Sequence, residues 1–202
     1  MMDKRFVAGF AVIGIVVLYL VSAVSQPENM GLEETKSMEG EKVVTEGIVS
    51  DKYQTNSGNT ILGVKNDNAT VSVFLEGKTN AEIGDEIRVT GIIQEYRDEN
   101  WIMASDIEIL KKWDENYIEL KQLKSNLEKY EGTNINVTGF AVSIKHNEFY
   151  LSDNISKIKI KIIKSTVLPM ENQKIFVKGK MEYDENRFEY FIKLEMYGVI
   201  NE

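Results

Sequence analysis

The chain of 202 residues contains no cysteine and a single histidine, His146. Without cysteine there is no disulfide framework, no thiolate metal site and no cysteine nucleophile. One histidine excludes zinc sites built on several histidines and restricts any Ser-His-Asp triad to His146. Also missing are a glycine-rich phosphate loop, a nucleophile elbow and a spaced set of metal ligands. The acidic pairs Asp98-Glu99 and Asp184-Glu185 fall where turns are expected and lack the oxygen-ligand spacing of a calcium loop. Together these absences lead us to expect a binding protein, not an enzyme, with no cofactor and no metal.

A basic excess is lacking as well. The formal net charge is −8, and it is unevenly spread. Residues 31–110 carry 16 acidic and 7 basic side chains, whereas residues 133–202 carry 9 and 10. The first region repels polyanions at long range and the second is near neutral. A dedicated nucleic-acid binder usually shows a basic footprint, which the chain as a whole does not.

The N-terminus does carry a long apolar run. Residues 6–24 hold no charge over 19 positions, with Lys4 and Arg5 before them and Glu28, Glu33 and Glu34 after. About 20 apolar residues span a bilayer as a helix, and the positive-inside bias keeps Lys4 and Arg5 in the cytoplasm. The expectation is a single-pass membrane protein with its C-terminal part outside. A cleaved signal peptide is the alternative, since Val21-Ser22-Ala23 and Ala23-Val24-Ser25 fit a small-residue cleavage pattern. Either way the rest of the chain is exported. Sequons at Asn68, Asn136 and Asn154 agree with export but arise easily by chance.

Beyond the anchor, one phrase is written twice. Met38-Glu39-Gly40 leads to Val43 and Gly47, and 92 positions on Tyr130-Glu131-Gly132 leads to Ile135 and Gly139. A second phrase follows each, Ile87-Arg88-Val89-Thr90-Gly91 and Ile175-Phe176-Val177-Lys178-Gly179. Such ordered recurrence indicates a duplicated domain. Within the first copy, strands are expected over 43–52, 60–65, 70–75, 87–96 and 101–110, separated by turns such as Asn56-Ser57-Gly58-Asn59 and Asp98-Glu99-Asn100. The second copy predicts strands over 133–143, 148–152, 157–164, 174–183 and 187–197. A glycine inside a long strand marks a bend or bulge, and both copies have the pair: Gly47 with Gly91, Gly139 with Gly179. Between the copies, Leu120, Leu123, Leu127 and Tyr130 share one face of a helix predicted over 117–130, expected to pack under the second barrel. A short helix is expected over 32–38.

The order Gly47-Ile48-Val49, Thr60-Ile61-Leu62-Gly63-Val64, Val71-Ser72-Val73-Phe74-Leu75 and Ile83-Gly84-Asp85-Glu86-Ile87-Arg88-Val89-Thr90-Gly91 resembles the OB-fold domains of the nucleic-acid-binding, tRNA-anticodon-like family. Gly84-Asp85 before the Ile-x-Val-x-Gly strand is the most specific part. In the second copy it is replaced by Asn172-Gln173, so the hallmark is absent there. The resemblance implies an all-β fold: two tandem five-stranded Greek-key barrels joined by a helix, behind one transmembrane helix. The expected boundaries are 1–25 for the anchor, 26–39 for a linker with a short helix, 40–110 and 133–202 for the barrels, and 111–132 for the connecting helix.

The resemblance also implies nucleic-acid binding across the second and third strands, with aromatic stacking and a positive groove. In the first barrel Tyr53, Phe74, Tyr96 and Trp101 are candidate stacking faces; packing of the barrel ends is the alternative. In the second, Lys157-Ile158-Lys159-Ile160-Lys161-Ile162 alternates, which puts the isoleucines inside and a stripe of Lys157, Lys159 and Lys161 outside, beside Phe149 or Tyr150. A solvated strand guarded by lysines is the alternative there. His146 and Tyr150 have the His-x-x-x-Tyr spacing of the haem chaperone of cytochrome c maturation, but in a hairpin and not after the barrel, so no haem is expected. The function expected is a membrane-anchored binding protein. It takes single-stranded nucleic acid or another anionic ligand on the second barrel through Lys157, Lys159, Lys161 and Tyr150, with Phe74 and Trp101 as further contacts. The alternative is an extracytoplasmic structural or protein-interaction module with envelope proteins as partners and no nucleic acid.

Overall fold

The computed structural model describes residues 28–29, 40–66, 69–164 and 166–200. The expected membrane segment and the short helix over 32–38 lie outside the described residues. Among the described residues no helix is long and apolar enough to cross a membrane.

The first sheet holds β1 (Glu28–Asn29), β2 (Lys42–Gln54), β3 (Thr60–Lys65), β4 (Thr70–Leu75), β5 (Glu86–Tyr96) and β6 (Glu99–Lys111). The second holds β7 (Ile118–Glu119), β8 (Asn134–Val142), β9 (Glu148–Ser152), β10 (Lys157–Lys161), β11 (Lys174–Asp184) and β12 (Glu189–Val199). In the first, pairing runs β2-β3-β4-β6-β5 and returns to β2. In the second it runs β8-β9-β10-β12-β11 and returns to β8. Each sheet contains one parallel contact between long strands, β4 with β6 and β10 with β12. A five-stranded Greek-key barrel with this order is the OB topology named by the sequence resemblance.

Closure depends on the first strand of each barrel, which must serve two neighbours. β2 pairs with β5 over Lys42 to Ile48, then with β3 from Ile48 onward. The hand-over falls at Gly47, where a Cβ would sit 2.7 Å from Val64 Cγ1 and 2.8 Å from the Lys65 carbonyl oxygen. Its counterpart Gly139 is as tight, with Leu151 Cγ at 2.8 Å and the Ser152 oxygen at 2.9 Å. Neither position has room for a side chain, so the strand coils closely over its neighbour. Register shifts fall at Thr90/Gly91 and Lys178/Gly179, the other expected bends.

The duplication extends to individual hydrogen bonds, including the place where the sequence hallmark is lost. Gly84 N donates to Val49 O at 2.8 Å, Val49 N to Asp85 O at 2.9 Å and Asp85 N to Glu82 O at 3.0 Å. In the second copy Asn172 N donates to Ala141 O at 2.7 Å, Ala141 N to Gln173 O at 2.9 Å and Gln173 N to Met170 O at 3.1 Å. The side chains match too: Asp85 Oδ2 accepts from Glu82 N, and Gln173 Oε1 from Met170 N. Asn172 takes φ +60°, a left-handed conformation that asparagine tolerates, where Gly84 has +101°. The hallmark is therefore absent as residues and retained as geometry, which corrects the sequence-based expectation.

Two further expectations are corrected. The hairpin between β5 and β6 turns on Arg97 and Asp98, both at positive φ, while Glu99 and Asn100 belong to β6. The single helix over 117–130 is two short ones, α1 (Leu120–Ser125) and α2 (Leu127–Tyr130), separated by Asn126 at φ −141° and ψ 46°. Residues Ile118 and Glu119 pair with β8 instead of opening the helix. The apolar face is nevertheless the expected one: Leu120, Leu123 and Tyr130 are buried in the second core and Leu127 packs on it.

The barrels meet at the Gly84-Asp85 turn. A Cβ on Gly84 would lie 2.2 Å from the Asn134 carbonyl oxygen of β8. Asp85 is fully buried and also accepts from Lys112 Nζ at 2.8 Å and Trp113 N at 3.1 Å, which ties the connecting segment to the first barrel. Ile48 leaves its own barrel and packs in the core of the second. Gly84→Ala combines a backbone clash with left-handed strain, so we expect a loss of about 2–4 kcal/mol in urea unfolding. Gly58 shares the positive φ but faces open space; Gly58→Ala should cost only about 1 kcal/mol.

Candidate functional site

Alternation along a strand sends successive side chains to opposite faces, so every barrel strand that fills the core also presents an outer row. On β3, β4, β6 and β5 of the first barrel, one cross-strand row is Ile61, Phe74, Met103 and Ile92. The next is Gly63, Ser72, Trp101 and Gln94. Tyr96, at the end of β5, stands edge-on to Trp101 with ring centroids 5.2 Å apart. The Arg97 guanidinium lies 5.2 Å from the Tyr96 ring. Between these groups runs a groove of about 800 Å³, lined by Ile61, Phe74, Tyr96, Trp101 and Met103 with Glu95, Arg97 and Glu99. The Trp101 indole Nε1 is buried there with no hydrogen-bond partner among the described residues.

The same two rows exist on the second barrel, because its strands pair in the same order. Glu148, Lys161, Lys193 and Lys180 correspond to the row of Ile61 and Phe74. Tyr150, Lys159, Phe191 and Glu182 correspond to the row of Gly63 and Trp101. Here the face is closed by its own charges. Lys159 is only 7 % exposed and its ammonium is bonded to the Glu189 carboxylate. Lys161 reaches Asp184 at 3.0 Å and covers the Phe191 ring at 3.5 Å from its centroid. Hydrogen bonding to Glu189 is the main reason that the Lys159 ammonium titrates above the ordinary lysine value. The Lys161 hydrogen bond likewise holds the Asp184 carboxyl below the usual carboxylate range.

The sequence-predicted residues thus separate into two groups. Phe74 and Trp101 share an open groove in the first barrel, with Tyr96. Lys157, Lys159, Lys161 and Tyr150 do lie together on one outer face of the second. Within that group Lys159 is covered, contrary to the solvent-facing stripe expected from alternation. The expectation missed the partners, since Glu189 and Asp184 come from a hairpin, 30 residues beyond Lys159 and 23 beyond Lys161. Lys157 is exposed, with its ammonium 5.2 Å from the centre of the Tyr150 ring. Tyr53, opposite Ile61 on β2, is well exposed. Phe149 faces the core, not a ligand. His146 lies exposed in the turn before β9. Ile61 and Met103 are groove residues that sequence reading did not single out. Their only signal was the alternation of their strands, which does not reveal the parallel β4–β6 pairing that joins them.

Removing one partner of the covered pair leaves an ammonium without its counter-charge. Glu189→Gln should therefore cost about 1–3 kcal/mol in chemical unfolding. Combining it with Lys159→Met should restore most of that, because no covered ammonium is then left without a counter-charge. For Asp184 the sign is set by its lowered folded-state value. Its stabilisation is present above the unfolded carboxyl value, about 4, and is lost as pH falls through the lower folded value. Thermal unfolding of the Asp184→Asn variant should therefore fall less steeply with acidification below that point than the parent does.

No protein-family model matches this chain, and no curated protein matches it in sequence. Solved structures do resemble it in part. Asparaginyl-tRNA synthetase from Pyrococcus horikoshii is 15 % identical over 43 % of this chain, with a TM-score of 0.37. The match spans only 24 % of the synthetase chain. OBody AM1L10, solved bound to hen egg-white lysozyme, is 27 % identical over 43 % of this chain and 95 % of its own, with a TM-score of 0.37. A replication protein A heterotrimer bound to single-stranded DNA is 14 % identical over 38 % of this chain and 62 % of its own, with a TM-score of 0.32. Scores this low add no weight to any ligand, and the barrel topology stands on the strand pairings themselves.

Proposed function

We propose that this chain is a non-catalytic binding module, held at a membrane by residues 6–24 with its barrels outside the cytoplasm. In this proposal the first barrel takes a polypeptide segment bearing apolar and basic side chains into the groove of Phe74, Trp101 and Tyr96. One observation carries the proposal: on equivalent outer faces, the first copy is aromatic and open while the second pairs its central lysines, Lys159 and Lys161, with its own carboxylates. An uncovered aromatic face is where interface energy concentrates, through large rigid anchors in a pocket. The rim carries Glu95 and Glu99 against the single cation Arg97, on a region of excess negative charge, which favours a basic partner and disfavours a phosphate backbone.

The second reading, single-stranded nucleic acid or another anion on the second barrel, is favoured by Lys157, whose exposed ammonium stands over Tyr150. A base stacked on that ring beside that charge would bind in the usual manner of single strands.

Tryptophan emission separates the two. Trp101 and Trp113 are the only tryptophans, so Trp113→Phe leaves Trp101 as sole reporter. A peptide alternating aromatic and basic residues should shift its emission saturably, and Phe74→Arg should weaken that binding by about tenfold or more. An oligonucleotide of mixed sequence at low salt should leave the emission unchanged. If it is instead retained on filters, and Lys157→Glu abolishes retention, the second barrel is the site and the polypeptide reading falls.

A further inference from the structure

The two most exposed large apolar side chains among the described residues are Ile155 at 87 % and Phe188 at 82 %. They belong to different hairpins, but topology puts them at one end of the second barrel. Strands β10 and β12 are parallel, with Lys159 beside Phe191. Ile155 and Phe188 sit in the turns immediately before those two strands, so both turns emerge at the same edge. Each turn is fixed. Asp153 Oδ1 accepts from the Ile155 and Ser156 amides at 3.0 and 2.6 Å, and Arg187 N donates to Asp184 O at 3.2 Å. Phe188 has φ +51°, a left-handed conformation that is unfavourable for a bulky residue. A strained, preorganised phenylalanine held in water is a feature that a partner can use.

The same chain carries the matching receptor. The first-barrel groove, about 800 Å³, is apolar within and bears Glu95 and Glu99, with Arg97, on its rim. At the tip Asp184 and Glu189 are held by Lys161 and Lys159, and Asp153 caps its own turn. Arg187 and Glu185 are exposed in the same turn as Phe188, and Lys157 is exposed at the start of β10. An apolar tip with two cations and one carboxylate thus matches an apolar groove whose rim carries two carboxylates and one cation. Loop residues Ile163, Val167 and Met170 are also exposed, but at the opposite end of the barrel.

We propose that the occupant of the first-barrel groove is a second copy of this chain, which inserts Phe188 and Ile155 between Phe74, Trp101 and Met103 and sets Arg187 against Glu95 and Glu99. The inference rests on the reading of the groove as a polypeptide site and names its partner. Because tip and groove are different patches, two copies either exchange tips about a two-fold axis or continue as an open row. The patch is small, so the contact is weak in dilute solution and gains from copies held together on a membrane.

The absence of cysteine makes cross-linking a clean test on the full chain as expressed. Two differently tagged versions are co-expressed, one with Phe188→Cys and the other with Met103→Cys, and oxidised. A mixed disulfide dimer is expected. The control replaces Met103→Cys by Lys193→Cys, the equivalent outer position of the closed face, and should give at least about tenfold less dimer. Phe74→Cys provides a second groove position should the first disturb folding. Arg187→Glu added to the tip version should cut the product about tenfold. Equal cross-linking at Met103 and Lys193, or none at Met103 and Phe74, overturns the proposal. If cross-linking fails while Phe74→Arg still abolishes peptide binding in the Trp101 assay, the groove remains a polypeptide site with another occupant. If both fail, the underlying reading fails with it.

Discussion

The close approach of Gly84 to the Asn134 carbonyl fixes how the two barrels stand against each other, and the rest of the molecule follows from that contact. It needs a residue without a side chain, because even a methyl would meet backbone at 2.2 Å. Its neighbour Asp85 holds the connecting segment through Lys112 and the Trp113 amide. Lys112 titrates above the ordinary lysine value, chiefly because Asp85 accepts its proton in a hydrogen bond. Burying Ile48 in the neighbouring core adds about 1.5–3 kcal/mol and makes the contact a shared core, not a hinge.

Duplication supplies an internal comparison that isolates what each side chain does. The backbone hydrogen bonds around Gly84-Asp85 and Asn172-Gln173 coincide, so the faces beyond them differ by residue type and not by architecture. Replacing Phe74 by the equivalent Lys161, and Met103 by Lys193, turns an open aromatic surface into one that needs carboxylates to cover it. Those carboxylates arrive from the β11–β12 hairpin, as Asp184 and Glu189. In the first copy the equivalent hairpin gives Tyr96 and Glu99, which deepen the groove instead of closing it.

Much of this was legible in the sequence, and the reasons are local. Alternation in 70–75 fixed which side of β4 carries Phe74, and the glycine pairs marked where strands bend, because both depend on neighbours along the chain. The helical face of Leu120, Leu123, Leu127 and Tyr130 was legible for the same cause, although Asn126 interrupts the helix that the spacing implied. What stayed hidden depends on residues far apart. Nothing in the run of alternating lysines and isoleucines announces Glu189, and nothing near Trp101 announces Ser72 as its parallel neighbour. The retention of turn geometry at Asn172-Gln173 was hidden because asparagine and glycine share a conformation without sharing a letter.

Charge counted by sequence region misleads for a related reason. The second copy is nominally the more basic, yet two of its three stripe lysines are consumed by carboxylates on the same face. An ion pair that is largely desolvated presents little field to a polyanion, since each charge is cancelled at contact distance before the potential reaches solvent. The first copy is the more acidic, but its groove is lined by rings and aliphatic chains, with Glu95, Arg97 and Glu99 at the rim. There the net charge selects the sign of a partner without obstructing the apolar surface that would bind it. The face with fewer lysines is therefore the better placed to hold a ligand, because the decisive quantity is the surface left without a partner.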